Sequence, residues 1–410
     1  MTVADDSKSS RPPKRARLAI VTTHPIQYYA PWFRHIAAHS NLQLKVFYLW
    51  NPAATSKHDP GFQQEIAWDI PLLEGYNHEF VPNVSRSPGS SSFRGINNPA
   101  LLARLNSFAP DAALLIGYRY KSIQQLIFSG DRYFPLMLRG DSHRLAGTGN
   151  SLVAPLRRVA IGRIFRRFSA MLYVGKANFE YYRVHGVRED RLFFSPHAVE
   201  NERFALSEEL TSQGKAWRRE QGIPQDNLLV MFAGKFEEKK RPLDLLRAFS
   251  KLDQTNLALL FVGAGILERA LREAAKGMAR VVFAPFQNQS LMPRTYAAAD
   301  LFVLPSYGNQ ETWGLAINEA LCASKPVVVS NHVGSGPDLV VPNMNGLIFE
   351  AGNVESLAAA LKEAVSDQEQ LIRWGRAGQR IVSNYDFAHA TQGLERALAS
   401  VVTSYSNEKK

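Results

Sequence analysis

Short apolar runs alternate with segments of helical spacing along most of the chain, and no other feature limits the fold as much. In the first half the runs are "RLAIVTTH", "LQLKVFYL", "DAALLIGY", "FPLMLRG" and "AMLYVG". Between them lie "YYAPWFRHIAAH", "NPALLARLNSFAP", "SIQQLIFSG" and a basic segment, "LRRVAIGRIFRRFSAML". Continuous apolar runs read as strands buried on both faces, which belong to parallel sheets covered by helices. The pattern restarts with "LLVMFAG", "LALLFVG", "VVFAP", "LFVLPS" and "PVVVSN", interleaved with "PLDLLRAFSKL", "GILERALREAA", "LMPRTYAAA" and "GLAINEALCA". The break falls around "FFSPHAVENERF". Two such sets predict an α/β protein of two doubly wound, Rossmann-like domains facing each other across a cleft. A length of 410 residues, long for one core, agrees with that division.

Composition removes several classes. No apolar stretch approaches the ~18–20 residues that cross a bilayer; "LALLFVGAGI" is too short. The opening "MTVADDSKSSRPPKRAR" lacks a secretory core and reads as a disordered basic leader. Cys322 is the only cysteine, so no disulfide forms within the chain and a reducing cytoplasm is the expected setting. Residues 1–200 hold 25 Lys+Arg and 14 Asp+Glu, whereas residues 201–410 hold 23 of each. The whole excess of +11 therefore sits in the first half and suits an anionic surface or partner. Arg157, Arg158, Arg163, Arg166 and Arg167 alternate with apolar residues there. They suit either a membrane-surface helix or an ordinary surface helix packed on a sheet. No aromatic-rich strand or finger accompanies them, so nucleic acid is not an expected partner.

Candidate residues cluster at strand ends, where open α/β sheets bind ligands. "PSYGNQETWGLAINEAL" follows a strand and places Glu311 in a polar loop and Glu319 about two turns into a helix. "FAGKFEEKKRPLDLLRAF" brings Gly234, Lys235 and Lys240 to a strand–loop–helix junction, a phosphate site or simply a solvated charged loop. "FVGAGILERAL" has Gly263 and Gly265 but lacks the third glycine of a dinucleotide fingerprint. In "SNHVGSGPDLV", Gly334 and Gly336 form either a ligand-approaching loop or a plain turn. His24 ends the first strand, and "LRGDSHRLAG" offers Arg139, Asp141 and His143 as an acid–base or orienting cluster. Asp141 is alternatively a helix cap. No Ser-His-Asp elbow and no metal-ligand spacing appears.

"GKFEEKKRPLDLLRAF", "LLFVGAGILERAL", "YAAADLFVLPS", "ETWGLAINEALCASKPVVVS" and "NGLIFE" follow one another as in the carboxyl-terminal domain of glycosyltransferase family 4, which the chain resembles over roughly residues 170–385. "SPHAVENERF" is similar to that family's interdomain segment. The resemblance implies the GT-B architecture and a retaining, nucleotide-sugar-dependent reaction. It places Glu311 against the donor sugar and Glu319 on the two ribose hydroxyls. It further implies that the backbone amides of Trp313, Gly314 and Leu315 face the diphosphate, that Gly234 lies at the donor, and that Lys235 and Lys240 neutralise the leaving group. Three departures stand out: "HPIQYY" where the family often has a Gly-Gly loop, "RGDSH" where it often has a His, and Arg241 rather than Gly after Lys240. His24, Asp141 and His143 are therefore the candidates for the acceptor or sugar side.

The expected organisation is a leader (1–17), an acceptor domain (18–195), a nucleotide-sugar domain (196–385) and a final helix crossing back (386–404). The expected function is metal-independent hexosyl transfer from a UDP- or GDP-linked sugar to a glycan or lipid-linked acceptor, in polysaccharide or glycolipid synthesis. It needs no cofactor and takes place in the cytoplasm, peripherally at the membrane. A GT-B nucleotide-sugar epimerase and a non-catalytic nucleotide-sugar-binding scaffold are the alternatives.

Overall fold

The computed structural model describes residues 15–51, 58–59, 61–147 and 154–408. Residues 1–14 of the expected leader lie outside the described residues, while Ala16 and Arg17 already belong to the first strand. The first half contains β1 (Ala16–Thr22), β2 (Leu42–Tyr48), a hairpin of β3 (His58–Asp59) and β4 (Gln64–Glu65), and β5 (His78–Phe80). It continues with β6 (Ala112–Ile116), β7 (Leu136–Arg139), β8 (Ala170–Tyr173) and β9 (Leu192–Phe194). All but the hairpin form one parallel sheet in the order β5-β2-β1-β6-β7-β8-β9.

The second half contains β10 (Leu228–Ala233), β11 (Leu257–Val262), β12 (Val281–Ala284), β13 (Leu301–Leu304), β14 (Val327–Ser330) and β15 (Gly346–Phe349). They form a parallel sheet in the order β12-β11-β10-β13-β14-β15. The architecture is thus α/β with two doubly wound Rossmann-like sheets.

Each sheet is buried on both faces because successive side chains serve opposite layers. Leu18 and Ile20 pack with Trp32 and Phe33 on one side; Ala19 and Val21 pack with Leu126 and Phe165 on the other. In the second sheet Leu229 and Met231 meet Tyr296 and Ile317, whereas Val230 and Phe232 meet Leu245 and Phe249. Such strands have no solvent face, which is why they read as unbroken apolar runs.

Strand order reverses between β1 and β6 in one sheet and between β10 and β13 in the other. Crevices at such reversals, outside the carboxyl ends of the strands, are where these sheets hold ligands. The helix Phe387–Glu408 returns to the first sheet, where Ala390, Leu394, Ala397 and Leu398 pack over Leu18, Ile20 and Leu114.

The arginine-rich segment forms the helix Ala154–Phe165, which buries Ile161, Gly162 and Phe165. Its first turns stand clear of the sheet: Leu156 is 71% and Val159 53% exposed, alongside exposed Arg157, Arg158 and Arg163. Packing against the sheet, one of the two sequence expectations, holds only towards its carboxyl end. No helix among the described residues is long and apolar enough to cross a membrane.

Candidate functional site

Both strand reversals open onto one cavity of about 960 Å³, with residues of both halves in its walls. Gly234 and Lys235, just past β10, line it, and Lys240 ends the 3-10 turn Glu238–Lys240 that follows. Past β13 the loop supplies Glu311, and the helix Leu315–Cys322 supplies Glu319. Trp313, Gly314 and Leu315 also face the cavity, at the helix's amino end. Gly314 has φ 90°, and a Cβ there would sit 3.0 Å from Leu304 Cδ2. A left-handed residue packed under a strand is a position for glycine.

The two glutamates differ in their electrostatics. Glu311 Oε2 accepts a hydrogen bond from Ser306 Oγ at 2.8 Å and an ion pair from Lys240 Nζ. Burial alone would raise its pKa, but the Lys240 ammonium and these hydrogen bonds hold it below the ordinary value. Glu319 Oε2 accepts from the Tyr296 hydroxyl at 2.8 Å. Its Oε1 has no hydrogen-bond partner among the described residues, although the side chain is almost wholly buried. Burial pushes its pKa up to about 7. A buried, unpartnered carboxylate oxygen on a cavity wall is costly until a donor reaches it, so this position favours a ligand with hydroxyl groups.

The first half contributes the opposite wall. His24 lies on it, with Nδ1 2.9 Å from Thr23 Oγ1 and the ring edge-on to Trp50. Burial lowers its pKa to about 4, so the imidazole is neutral at pH 7. Asp141 faces the cavity and bridges the halves by accepting from Thr312 Oγ1 at 2.8 Å. No helix follows it closely, so it is not the helix cap that the sequence allowed. Its pKa is held down, against burial, chiefly by His197, with Thr312 and Arg139 adding to the effect.

His143, expected on the acceptor side, does not line the cavity. Its Nδ1 accepts from the Leu145 backbone amide at 3.2 Å, so Nε2 carries the proton and donates to the Glu311 carbonyl at 3.0 Å. It braces the Glu311 loop from behind. Arg139 is buried too, and donates to the Ser195 and Pro196 carbonyls at 3.2 and 2.8 Å, fixing the segment between the two sheets.

Of the other glycine motifs, Gly263 lines the cavity, and both it and Gly334 are tightly packed. A Cβ on Gly263 would strike the Gly234 carbonyl, and one on Gly334 would strike the Thr312 carbonyl. The Gly334 amide donates to the Glu311 carbonyl at 3.1 Å, so this loop supports the Glu311 loop from outside the cavity.

Sequence reasoning missed Tyr296, Tyr28 and His197. Tyr28, from the first half, packs against the second half's core and approaches Glu319. Its only signal was its place in the "HPIQYY" loop. His197 stands 3.5 Å from Asp141 Oδ2 and marks itself only as a histidine in the linker. Tyr296 meets Glu319 from a neighbouring helix, and no sequence spacing announces that pairing.

Comparison with known proteins adds to this geometry. Residues 213–381 match the family model "Glycosyl transferases group 1". Those group 1 residues span β10 to β15, and with them every site residue from Gly234 to Glu319. A D-inositol 3-phosphate glycosyltransferase of Rhodococcus jostii (strain RHA1) is 30% identical over 204 residues, 47% of this chain and 44% of that protein. Sulfoquinovosyl transferase SQD2 of Arabidopsis thaliana is 30% identical over 203 residues, covering 48% and 38% respectively. The chain thus spans less than half the length of either relative.

Likeness of fold extends further. The crystal structure of Anabaena Alr3699/HepE in complex with UDP and glucose superposes with a TM-score of 0.70 at 18% identity, covering 94% of this chain and all of that one. The sucrose-phosphate synthase structure from Thermosynechococcus elongatus gives a TM-score of 0.71 at 17% identity, covering 95% and 100%. At such identities the likeness is one of fold, and the fold is GT-B.

Proposed function

We propose that the protein is a retaining glycosyltransferase that moves a hexose from a UDP- or GDP-linked donor to a glycan or lipid-linked acceptor, without a metal. The observation that carries this reading is the pair Glu311 and Glu319, in opposite electrostatic settings on one cavity wall. A carboxylate with an unpartnered oxygen suits the two vicinal hydroxyls of a ribose. With the ribose on Glu319, the donor's diphosphate lies towards the amides of Trp313, Gly314 and Leu315 and the ammonium groups of Lys235 and Lys240. These positive groups stabilise the charge that builds on the leaving phosphate, the main electrostatic contribution to the rate. Glu311 then stands beside the sugar. The bond between the anomeric carbon and the β-phosphate oxygen breaks while the acceptor hydroxyl oxygen attacks from the same face, and its proton passes to the departing phosphate. His24, neutral at pH 7, and Asp141 sit across the cavity where sugar and acceptor meet. The matched group 1 residues, a relative described as a glycosyltransferase and a structural neighbour solved with UDP and glucose favour the same chemistry.

The setting is the cytoplasm, at an anionic membrane surface that the exposed arginines of Ala154–Phe165 would approach. The direct test is thermal stabilisation by UDP, GDP, ADP and dTDP and their sugars, without added metal. A ligand at 100 times its Kd adds ~2.7 kcal/mol, a visible rise in Tm. We expect a selective rise that vanishes in Glu319→Ala. No rise from any of them in folded protein would overturn the donor site.

A further inference from the structure

Between β2 and β5, residues 61–69 lie against the second half. Asn288 Nδ2 donates to the Ala67 carbonyl at 2.6 Å, and the Ser290 amide donates to Asp69 Oδ1 at 3.0 Å. The Ser290 hydroxyl also donates to Asp69 Oδ2. Beside this latch three aromatic rings gather. Phe62 meets Phe286 edge-on with centroids 4.7 Å apart, and Trp68 meets Phe286 at 6.1 Å. Lys235 Nζ lies 4.9 Å from the centre of the Phe62 ring. All three rings line the cavity.

Phe286 belongs to the loop between β12 and the helix Met292–Ala298, the helix that sends Tyr296 to Glu319. A ribose carries its base on C1′ and its diphosphate, through C5′, on C4′, so the two leave from different carbons at the edge away from the hydroxyls. With the hydroxyls on Glu319 and the diphosphate towards Lys235 and the Leu315–Cys322 helix start, the base is left facing this loop. A flat base has two π faces and gains most from aromatic side chains. We propose that Phe62 and Trp68, delivered by the first half, complete with Phe286 the slot that takes the donor's nucleobase. Nucleotide affinity thus depends on a segment outside the nucleotide-binding half itself. This inference rests on the reading of Glu319 as the ribose site.

The test is calorimetric titration of the full chain and its variants with UDP, GDP, ADP, dTDP and inorganic diphosphate. Phe62→Ala and Trp68→Ala should each weaken the nucleotide that binds the parent protein, by roughly ten- to a hundredfold. Trp68→Phe should recover most of the loss. Inorganic diphosphate, which has no base, should bind all of them alike. Unchanged nucleotide affinity in both alanine variants, with Glu319→Ala abolishing it, would overturn the slot and leave the donor site standing. Equal loss of nucleotide and diphosphate would also overturn it, because the segment would then only brace the Lys235 loop. If none of the nucleotides binds the parent protein, slot and donor site fall together.

Discussion

Lys240 and Ser306 hold Glu311 ionised, whereas Glu319 meets the Tyr296 hydroxyl in a desolvated niche, so the two carboxylates should respond differently to substitution and to pH. Glu319→Ala should raise the Kd for donor and nucleotide, while Glu311→Ala should leave nucleotide binding near the parent value and lower kcat. Matching effects from both would show that the two roles are assigned wrongly. His143→Ala should lower kcat by about tenfold with nucleotide Kd unchanged, since the ring braces the Glu311 carbonyl from outside the cavity. The pH response belongs to Glu319. Its ordinary value is 4.5 and its folded value about 7. Between them the folded protein keeps a proton that the unfolded chain has released, so this group's contribution to stability falls as pH rises through that window. Melting temperatures of parent and Glu319→Gln should therefore diverge across that range, the parent losing more. Nucleotide affinity should move the other way and strengthen as the carboxylate ionises, a trend Glu319→Gln should lose. How much of this was legible in the chain is itself a matter of residues. Glu311 and Glu319 could be placed at a strand end because one loop and one helix carry both. Tyr296, Tyr28 and Phe62 reach the same cavity from other elements, and no local spacing encodes that. His143 looked like a cavity residue because a histidine after a strand reads the same whether it faces a ligand or a carbonyl.

At the scale of elements, the strands buried on both faces were plain in the sequence, while three edge strands were not. His78–Phe80 and Leu192–Phe194 are three residues long and half-buried, and Gly346–Phe349 exposes Ile348. An edge strand with one partner needs no unbroken apolar run, so it leaves little pattern to read. The helix Ala154–Phe165 is the converse case, an element with obvious charge whose packing the sequence left open. Its exposed Leu156 and Val159 beside three exposed arginines form a face suited to anionic lipid, to which each arginine adds ~1 kcal/mol. The parent protein should sediment with anionic liposomes and not with neutral ones. Reversing Arg157, Arg158 and Arg163 to glutamate should abolish that while leaving nucleotide binding intact. Negligible sedimentation with both kinds of liposome would remove the membrane from the account.

Across the whole molecule the chain passes from the first sheet to the second and then back, because the helix Phe387–Glu408 seals a face of the sheet with which the chain began. Ser195 Oγ donates to the Ala390 carbonyl at 2.9 Å, and Trp32 Nε1 donates to Thr391 Oγ1 at 3.2 Å, so outward and return passages are tied together. A chain truncated after residue 386 should keep the second sheet's core and uncover one face of the first sheet, visible as an early unfolding transition and exposed hydrophobic surface. The same arrangement sets an order of events at the ribosome. Leu18 and Ile20 lie far upstream of the helix Phe387–Glu408, which completes the cover that Trp32 and Phe33 begin. Until that helix is made, the nascent first domain therefore shows part of an apolar face to the cell, and slow translation lengthens its dependence on a chaperone.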